Sequence, residues 1–507
     1  MKKILLSLVV AASALTSCDM DLAPAGTLDS ETGISTVSDV KAFRTGLYSN
    51  FRAFTTSGFF TNPEIQMDMF LGVIINGNQG GNFANGIFTS ADSDITGYWA
   101  GLFTYINNCN YILEKAQPIL EKAKEQGNDA QVAELERYIG EAHFLRGYYY
   151  AEMMDRFCQV YDPAKGDDEG LGCPIVTEYY PTADRSKYPG RSSMNATISF
   201  IDEELKAAYD ALSIFEQTDK SQLAPMAAYL STQAVLAMQA RVALWIGDYT
   251  TAVTKANEVI TSGYYALAQP DDYIDMWDND YSSEIILMPF MSQPSELSNS
   301  IGGRWLTTVD NRAYYVPSYN CLAMYYDDDI RFDSFFAVQK LLVEGSNIPC
   351  YSFYKFPGNP ALEVSGRNLQ NKPKAFRLSE MYLILAEAAY MNNQPSVALK
   401  AYNDFCSYRY ENWEDETLSG QALLDEIRDE RARELIGEGF RMSDLRRWGK
   451  GFARSGEYPI NPAMEAVFVV TGTKVVYEPN DYRYTWPIPA DELSCNPQIK
   501  KQQNPGY

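Results

Sequence analysis

Leu378-Ser379-Glu380-Met381-Tyr382-Leu383-Ile384-Leu385-Ala386-Glu387-Ala388-Ala389-Tyr390 is the stretch on which the fold turns. Leu378, Met381, Tyr382, Leu385, Ala386 and Ala389 recur at the three- and four-residue intervals of one helical face. Asn392-Asn393 then makes a turn, and Ala398, Tyr402 and Phe405 lead a second helix. Alanines on facing stripes let two backbones approach closely, so the pair reads as a helical hairpin of tetratricopeptide type. Leu244-Trp245-Ile246-Gly247-Asp248-Tyr249, followed by Ala252 and Ala256, repeats the pattern earlier in the chain. The units are scattered rather than tandem, which predicts paired helices within a larger body and not a free solenoid.

Outward from these hairpins the helical period recurs. Ser38 reads as an N-cap for a helix carrying Val40, Phe43, Leu47 and Phe51. Helices are predicted over 99–124, 131–157, 197–212 and 225–246. A densely charged helix is predicted over 423–435 and ends at Gly437 and Gly439. Its Asp425–Arg428 and Asp429–Arg433 spacings suit ion pairs on a solvated face. Arg431, however, shares a stripe with Leu424, Ile427 and Leu435, and inside a core it requires a partner. Residues 55–98 and 261–375 read as irregular, with Glu284-Ile285-Ile286-Leu287-Met288 a strand candidate. Gly302-Gly303-Arg304-Trp305 and Tyr314-Tyr315-Val316-Pro317 read as exposed loops, and 161–192 as irregular chain rich in Pro, Gly and Asp. The expected fold is mainly α: a scaffold of tetratricopeptide-like hairpins with long irregular loops and a few short strands.

The amino terminus carries Lys2 and Lys3, an apolar run from Ile4 to Ala12, and then Leu15-Thr16-Ser17-Cys18. A basic start, a short apolar segment and small residues before a cut site make a secretory signal. The cysteine directly after it resembles a bacterial lipobox, where cleavage precedes lipid attachment to the thiol. Residues 1–17 are thus expected to be a signal peptide and 18–37 a lipidated tether. A helical region over 38–260 is expected to pack with 261–507 as one globular body. No other apolar run is long enough to span a bilayer, so membrane attachment rests on Cys18.

The formal charge is −24, and losing the two leader lysines makes it more negative. Such a surface repels phosphate backbones, which excludes nucleic acid as a partner. The single histidine, His143, lies on a buried stripe and reads as a core residue, leaving no Ser-His-Asp set, HExxH or two-histidine metal site. The glycine-rich 77–82 stretch lacks the Lys-Ser/Thr of a phosphate loop, and Asp327-Asp328-Asp329 lacks the spacing of a calcium loop. No acidic pair stands out among the carboxylates. No catalytic residue, metal or cofactor is therefore assigned. Cysteines 109, 158, 173, 321, 350, 406 and 495 form no CxxC pair. Most read as small buried hydrophobes, and a Cys158–Cys173 bridge is left open.

Several stretches together carry a family resemblance. They are Ser17-Cys18-Asp19-Met20-Asp21-Leu22, Gly140-Glu141-Ala142-His143-Phe144-Leu145-Arg146-Gly147-Tyr148-Tyr149, and the run Arg377 to Ala388. To these are added Glu430-Arg431-Ala432-Arg433-Glu434-Leu435, Glu438-Gly439-Phe440-Arg441, Asp444-Leu445-Arg446-Arg447-Trp448, Trp486-Pro487-Ile488-Pro489 and Asn504-Pro505-Gly506-Tyr507. With these motifs the chain resembles the SusD/RagB family of Bacteroidetes outer-membrane lipoproteins. The resemblance implies a non-enzymatic, surface-exposed receptor anchored through lipid. It implies capture of oligosaccharides, or in some members peptides, and delivery to a SusC-like TonB-dependent barrel. A peptide-binding member and a lipoprotein glycoside hydrolase are the alternative readings. The shared motifs transfer no binding residue, so the ligand site is read from chemistry. A sugar presents an apolar C–H face and a fringe of hydroxyls, which suits aromatic rings flanked by amides or guanidinium groups. Trp305, Tyr314 and Tyr315 are the expected stacking rings, with Asn78, Gln79, Asn82 and Arg304 as hydrogen-bond partners. Trp99, Trp245, Trp448 and Trp486 are assigned to the core.

Overall fold

The structure, a computed structural model, describes residues 33–72, 80–297, 299–306, 313–343, 346–364, 366–454 and 475–507. It is mainly helical. The first helix, α1 (Val37–Thr55), is capped by Thr36 and not by Ser38. The Thr36 hydroxyl accepts from the Asp39 N–H, and the Asp39 carboxylate accepts from the Thr36 N–H. This reciprocal cap starts the helix ahead of the first apolar residue. A second helix, α2 (Gly58–Gln66), stands where the sequence reads as loop. Gly58 and Pro63 disguise it, yet Phe59 and the run 61–66 are buried.

The body of the fold is a continuous array. It comprises α3 (Ser93–Glu125), α4 (Asp129–Phe157), α5 (Met194–Glu216), α6 (Thr232–Ile246), α7 (Tyr249–Thr261), α8 (Leu378–Met391) and α9 (Pro395–Cys406). Each packs against the next. Gly247, at φ +78°, ends α6 by donating its N–H to the last-turn carbonyls, and Asp248 caps α7 by accepting the Thr251 N–H at 3.1 Å. Ala252, Ala256, Ala386, Ala389 and Ala398 are buried where helices meet. The two hairpins, distant in sequence, are neighbours in space, because α7 packs on α8. Of the predicted helices, the one beginning at 225 is cut back most, starting instead at Thr232 behind a Ser231 cap.

Short antiparallel pairs hold the remaining chain. β1 (Phe70–Gly72) pairs with β3 (Tyr315–Pro317), setting Phe70 opposite Pro317 and Gly72 opposite Tyr315. β2 (Ile285–Leu287) pairs with β6 (Phe376–Arg377), β4 (Phe336–Val343) with β5 (Ser346–Phe353), and β7 (Phe452–Arg454) with β8 (Val475–Tyr477). Among the described residues, no helix is long and apolar enough to cross a membrane.

The charged helix α10 (Gly420–Leu435) departs from the solvated-face expectation, because its second half is buried. Glu434 accepts from Arg377 at 2.7 Å, from Arg409 at 3.0 Å and from Arg331 at 3.3 Å. Glu430 accepts from Arg331 at 2.6 Å, from Arg433 at 2.9 Å and from the Tyr410 hydroxyl at 2.7 Å. Arg433 thus serves Glu430 and Glu426, not Asp429. Arg431 is buried, as its stripe requires, and its Nε donates to Asp444 of α11 (Arg441–Arg447) at 2.9 Å. Burial opposes ionisation of Glu430, but Arg331 and Arg433 hold its carboxyl down at about 2.

Candidate ligand-binding surface

The chosen site residues divide sharply. Trp305 and Tyr315 are each 0% exposed, which corrects their reading as exposed stacking rings. Trp305 lies stacked on Phe70 with ring centroids 4.1 Å apart, and meets Phe353 edge-on at 5.3 Å. The Gly302-Gly303 pair that looked like a surface loop has another purpose. A Cβ on Gly302 would stand 2.2 Å from the Phe356 carbonyl oxygen, so glycine lets the backbone sink and drops the indole into the core. Tyr315 is fixed by its place in β3, and burial pushes its hydroxyl up to about 12. Tyr314 is half-buried, with its N–H donated to the Trp305 carbonyl at 3.2 Å. Cys18, Asn78 and Gln79 lie outside the described residues.

Arg304 remains at the surface, half-buried, with Nε donating to the Thr61 hydroxyl at 3.2 Å. Next to it the Asn62 amide donates to the Tyr98 hydroxyl at 2.7 Å and to Asp94 at 3.3 Å. The Asn62 side-chain oxygen is buried with no hydrogen-bond partner among the described residues. Gly80 lies over this group: a Cβ there would be 3.4 Å from that oxygen and 3.6 Å from Arg304 Nη1. Asn82, in the short helix Gly81–Ala84, is half-exposed and donates to Asp92, which ties the following turn. The structure therefore gathers Arg304, Thr61, Asn62 and Tyr98 into one polar patch.

Thr61 links this patch to a cleft between α2, α4 and α6 that encloses a cavity of about 70 Å³. Phe60, Trp245 and Lys372, all half-buried, stand among its lining residues, as do Tyr148, Glu152 and Arg156 from α4. Burial raises the Glu152 carboxyl to about 7, against the pull of Arg156 and Arg241. Burial likewise raises Glu64 on α2 to about 7, although it accepts the Gly437 and Gly439 N–H groups at 3.1 and 2.8 Å. The buried Trp245, Trp277 and Arg156 Nε–H donors lining this cleft have no partner among the described residues. Sequence reasoning missed the cleft because Trp245 shares the apolar seam of α6. Its place in the last turn, beside the Gly247 stop, was the available signal. Of the other tryptophans assigned to the core, Trp99 and Trp486 are buried, while Trp448 is half-buried and donates to Glu387 at 2.6 Å.

A second concavity, of about 570 Å³, opens where 174–189 passes α3 and the carboxyl-terminal segment. Tyr180 stands in it 56% exposed, its hydroxyl accepting from Lys187 Nζ at 2.8 Å. Glu178, Asn107, Tyr188 and Glu492 also line it. His143 is remote from any such chemistry. It is half-buried, with Nδ1 2.9 Å from a Glu204 oxygen that also accepts from Arg146 at 2.7 Å.

A stack of helical hairpins joined by irregular segments and short strand pairs defines the class: a mainly α scaffold of tetratricopeptide-like hairpins. The chain belongs to the SusD/RagB family. The model described as the SusD family matches residues 343–507, and the one described as starch-binding associating with outer membrane matches 24–244. A SusD-like protein of Formosa agariphila is 23% identical, with 96% of this chain and 95% of that protein covered. A SusD superfamily structure from Bacteroides thetaiotaomicron superposes with a TM-score of 0.75 at 24% identity, covering 93% of this chain and 100% of that one. A putative sugar binding protein from Bacteroides vulgatus gives 0.73 at 24%, covering 94% and 100%.

Proposed function

We propose that the protein is a surface-exposed outer-membrane lipoprotein, anchored through Cys18, that binds nutrient oligosaccharides and passes them to a SusC-like TonB-dependent transporter. The observation that carries this reading is the match of family models to both halves of the chain, one of them described as starch-binding and associating with the outer membrane. The lipobox-like Leu15-Thr16-Ser17-Cys18 supports the anchor. The binding face is the Arg304 patch continued through Thr61 into the Trp245 cleft, with Tyr314 and Asn82 at its margins. Arg304 offers guanidinium donors to sugar hydroxyls, and Trp245 and Phe60 offer apolar ring surface. The protein acts by holding its ligand without changing it. Calorimetry of the leaderless chain with a panel of oligosaccharides and peptides tests this. Saturable heat with a glycan and an unaltered glycan afterwards is the expected result. Heat with peptides alone, or cleavage of the glycan, overturns it.

A further inference from the structure

Two thiols meet where α4 hands the chain to the irregular 159–193 segment. Cys158 directly follows the last residue of α4, and its N–H donates to the Met154 carbonyl. Cys173 returns beside it, with the sulfurs 3.7 Å apart and both residues buried. The backbone on each side is held. The Cys173 N–H donates to the Thr197 hydroxyl at 2.9 Å, its carbonyl accepts the Ser192 N–H at 3.0 Å, and the Gly172 N–H reaches the Ser192 carbonyl at 2.7 Å. The sulfurs need close by only ~1.7 Å to reach the ~2.05 Å of a bond, a shift within reach of side-chain rotation.

The charge around the pair is one-sided. Arg191 Nη2 lies 3.7 Å from Cys158 Sγ. Its other hydrogen bonds go to neutral acceptors: the Gly172, Leu171 and Gln502 carbonyls, each at 2.8 Å, the Asn504 amide oxygen at 2.9 Å and the Phe157 carbonyl at 3.3 Å. Among the described residues no carboxylate pairs with Arg191, so its charge falls on the sulfur. Contact with the Cys173 thiol, aided by Arg191 and opposed by burial, holds the Cys158 thiol below the usual thiol range, whereas burial raises Cys173.

We propose that Cys158 and Cys173 form an intramolecular disulfide in the exported protein, the inference resting on the extracytoplasmic location proposed above. The oxidant is a disulfide of the thiol–disulfide oxidoreductase class. The Cys158 thiolate attacks one of its sulfurs and expels the other as a thiolate. Cys173, after losing its proton to solvent, attacks the Cys158 sulfur of the mixed disulfide and releases the second thiolate. Two protein thiols lose two electrons and two protons, and the oxidant gains them as a dithiol. Both sulfurs are buried in the folded chain, so the exchange precedes closure of the 159–172 segment during folding. The bond fixes the root of 174–189, the wall that carries Tyr180.

The test uses the full-length protein produced in an exporting bacterial cell, quenched in acid, alkylated and digested with trypsin without reduction. Cleavage after Lys165 puts the two cysteines on separate peptides. The expected result is a linked pair of peptides that disappears on reduction. Both cysteines recovered alkylated from protein whose Cys18 peptide carries acyl mass overturns the proposal. The same spectrum reads Cys18 independently. If that peptide is unacylated, the leaderless chain refolded in a glutathione redox buffer decides: a Cys158–Cys173 link supports the proposal and two alkylated thiols overturn it. Reductant is expected to lower the unfolding midpoint of the linked protein by about 3–6 °C and to leave C158S/C173S unmoved. An unchanged midpoint in the linked protein would overturn the pinning role.

Discussion

The surroundings of α10 and the Arg304 patch both place charged groups among aromatic rings, but one is closed and the other open. Around Glu430 and Glu434 each carboxylate meets two or more cations at hydrogen-bond distance, and Arg331, Arg377 and Arg409 are fully buried. Around Arg304 one guanidinium nitrogen meets the hydroxyl of Thr61, which lines a cleft, and the neighbouring Asn62 oxygen has no described partner. A network whose members satisfy one another offers nothing to a ligand. A group whose members do not gains by meeting one. In this molecule density of charge therefore marks structure, although Arg431 Nη1 and Nη2 on α10 also have no partner among the described residues, and the proposed binding face is set apart by the surface position of Arg304.

Breaking the closed region has the largest expected effect. Glu434→Ala leaves three buried guanidinium groups short of a shared acceptor, and removing one member of a buried pair typically costs about 3–5 kcal/mol. Denaturant unfolding should show at least that loss. An unaltered midpoint would mean the network carries no stability. Trp305→Ala is the second break. It empties a stacked indole site in the core, and comparable deletions cost about 3–5 kcal/mol. A full-stability variant with weakened glycan binding would instead restore Trp305 to the ligand face.

The division explains what the sequence revealed. The hairpins at Leu378–Phe405 and Leu244–Ala256 were legible because their helical period, turn residues and alanines all agree. Arg431 was legible because a charge on an apolar stripe signals a buried partner. The solvated-face reading of α10 failed because Glu430 and Glu434 are satisfied by Arg331, Arg377 and Arg409, which come from elsewhere in the chain, and helical spacing sees only neighbours. Trp305 and Tyr315 failed for a related reason. Glycine looks the same in sequence whether it loosens a surface loop or admits a close backbone contact, as at Gly302. Arg304 kept its surface place, while Thr61, Asn62 and Trp245 joined it through tertiary packing that no local pattern announces.

Acid sharpens the comparison, since the two regions respond with opposite sign. Glu430 is held near 2 against an ordinary 4.5, so its stabilisation is present above about pH 4.5 and is lost as pH falls through the folded value. Glu64 and Glu152 sit near 7, so ionising them in the fold costs stability as pH rises from about 4.5 to 7. Stability should therefore rise on going from pH 8 to about 5, then fall below 4.5. Glu152→Gln should flatten the first limb by about 1–3 kcal/mol and leave the second, read from urea midpoints across pH. A first limb unchanged in that variant would remove Glu152 as its source.

The smallest effect on stability is expected where the effect on binding is expected to be greatest. Arg304→Ala removes one half-buried guanidinium and one hydrogen bond to Thr61, so the unfolding midpoint should barely move. If the open patch is the binding face, affinity for the glycan identified by calorimetry should fall about 10-fold, the worth of one good polar contact at about 1.4 kcal/mol. Tyr180→Ala provides the control from the other concavity, because its exposed ring is equally dispensable to the fold. Loss of affinity in Tyr180→Ala with none in Arg304→Ala would move the binding face to the 174–189 wall. The contrast between closed and open charge would then describe stability alone, because an unpaired surface group would have proved no guide to where the ligand sits.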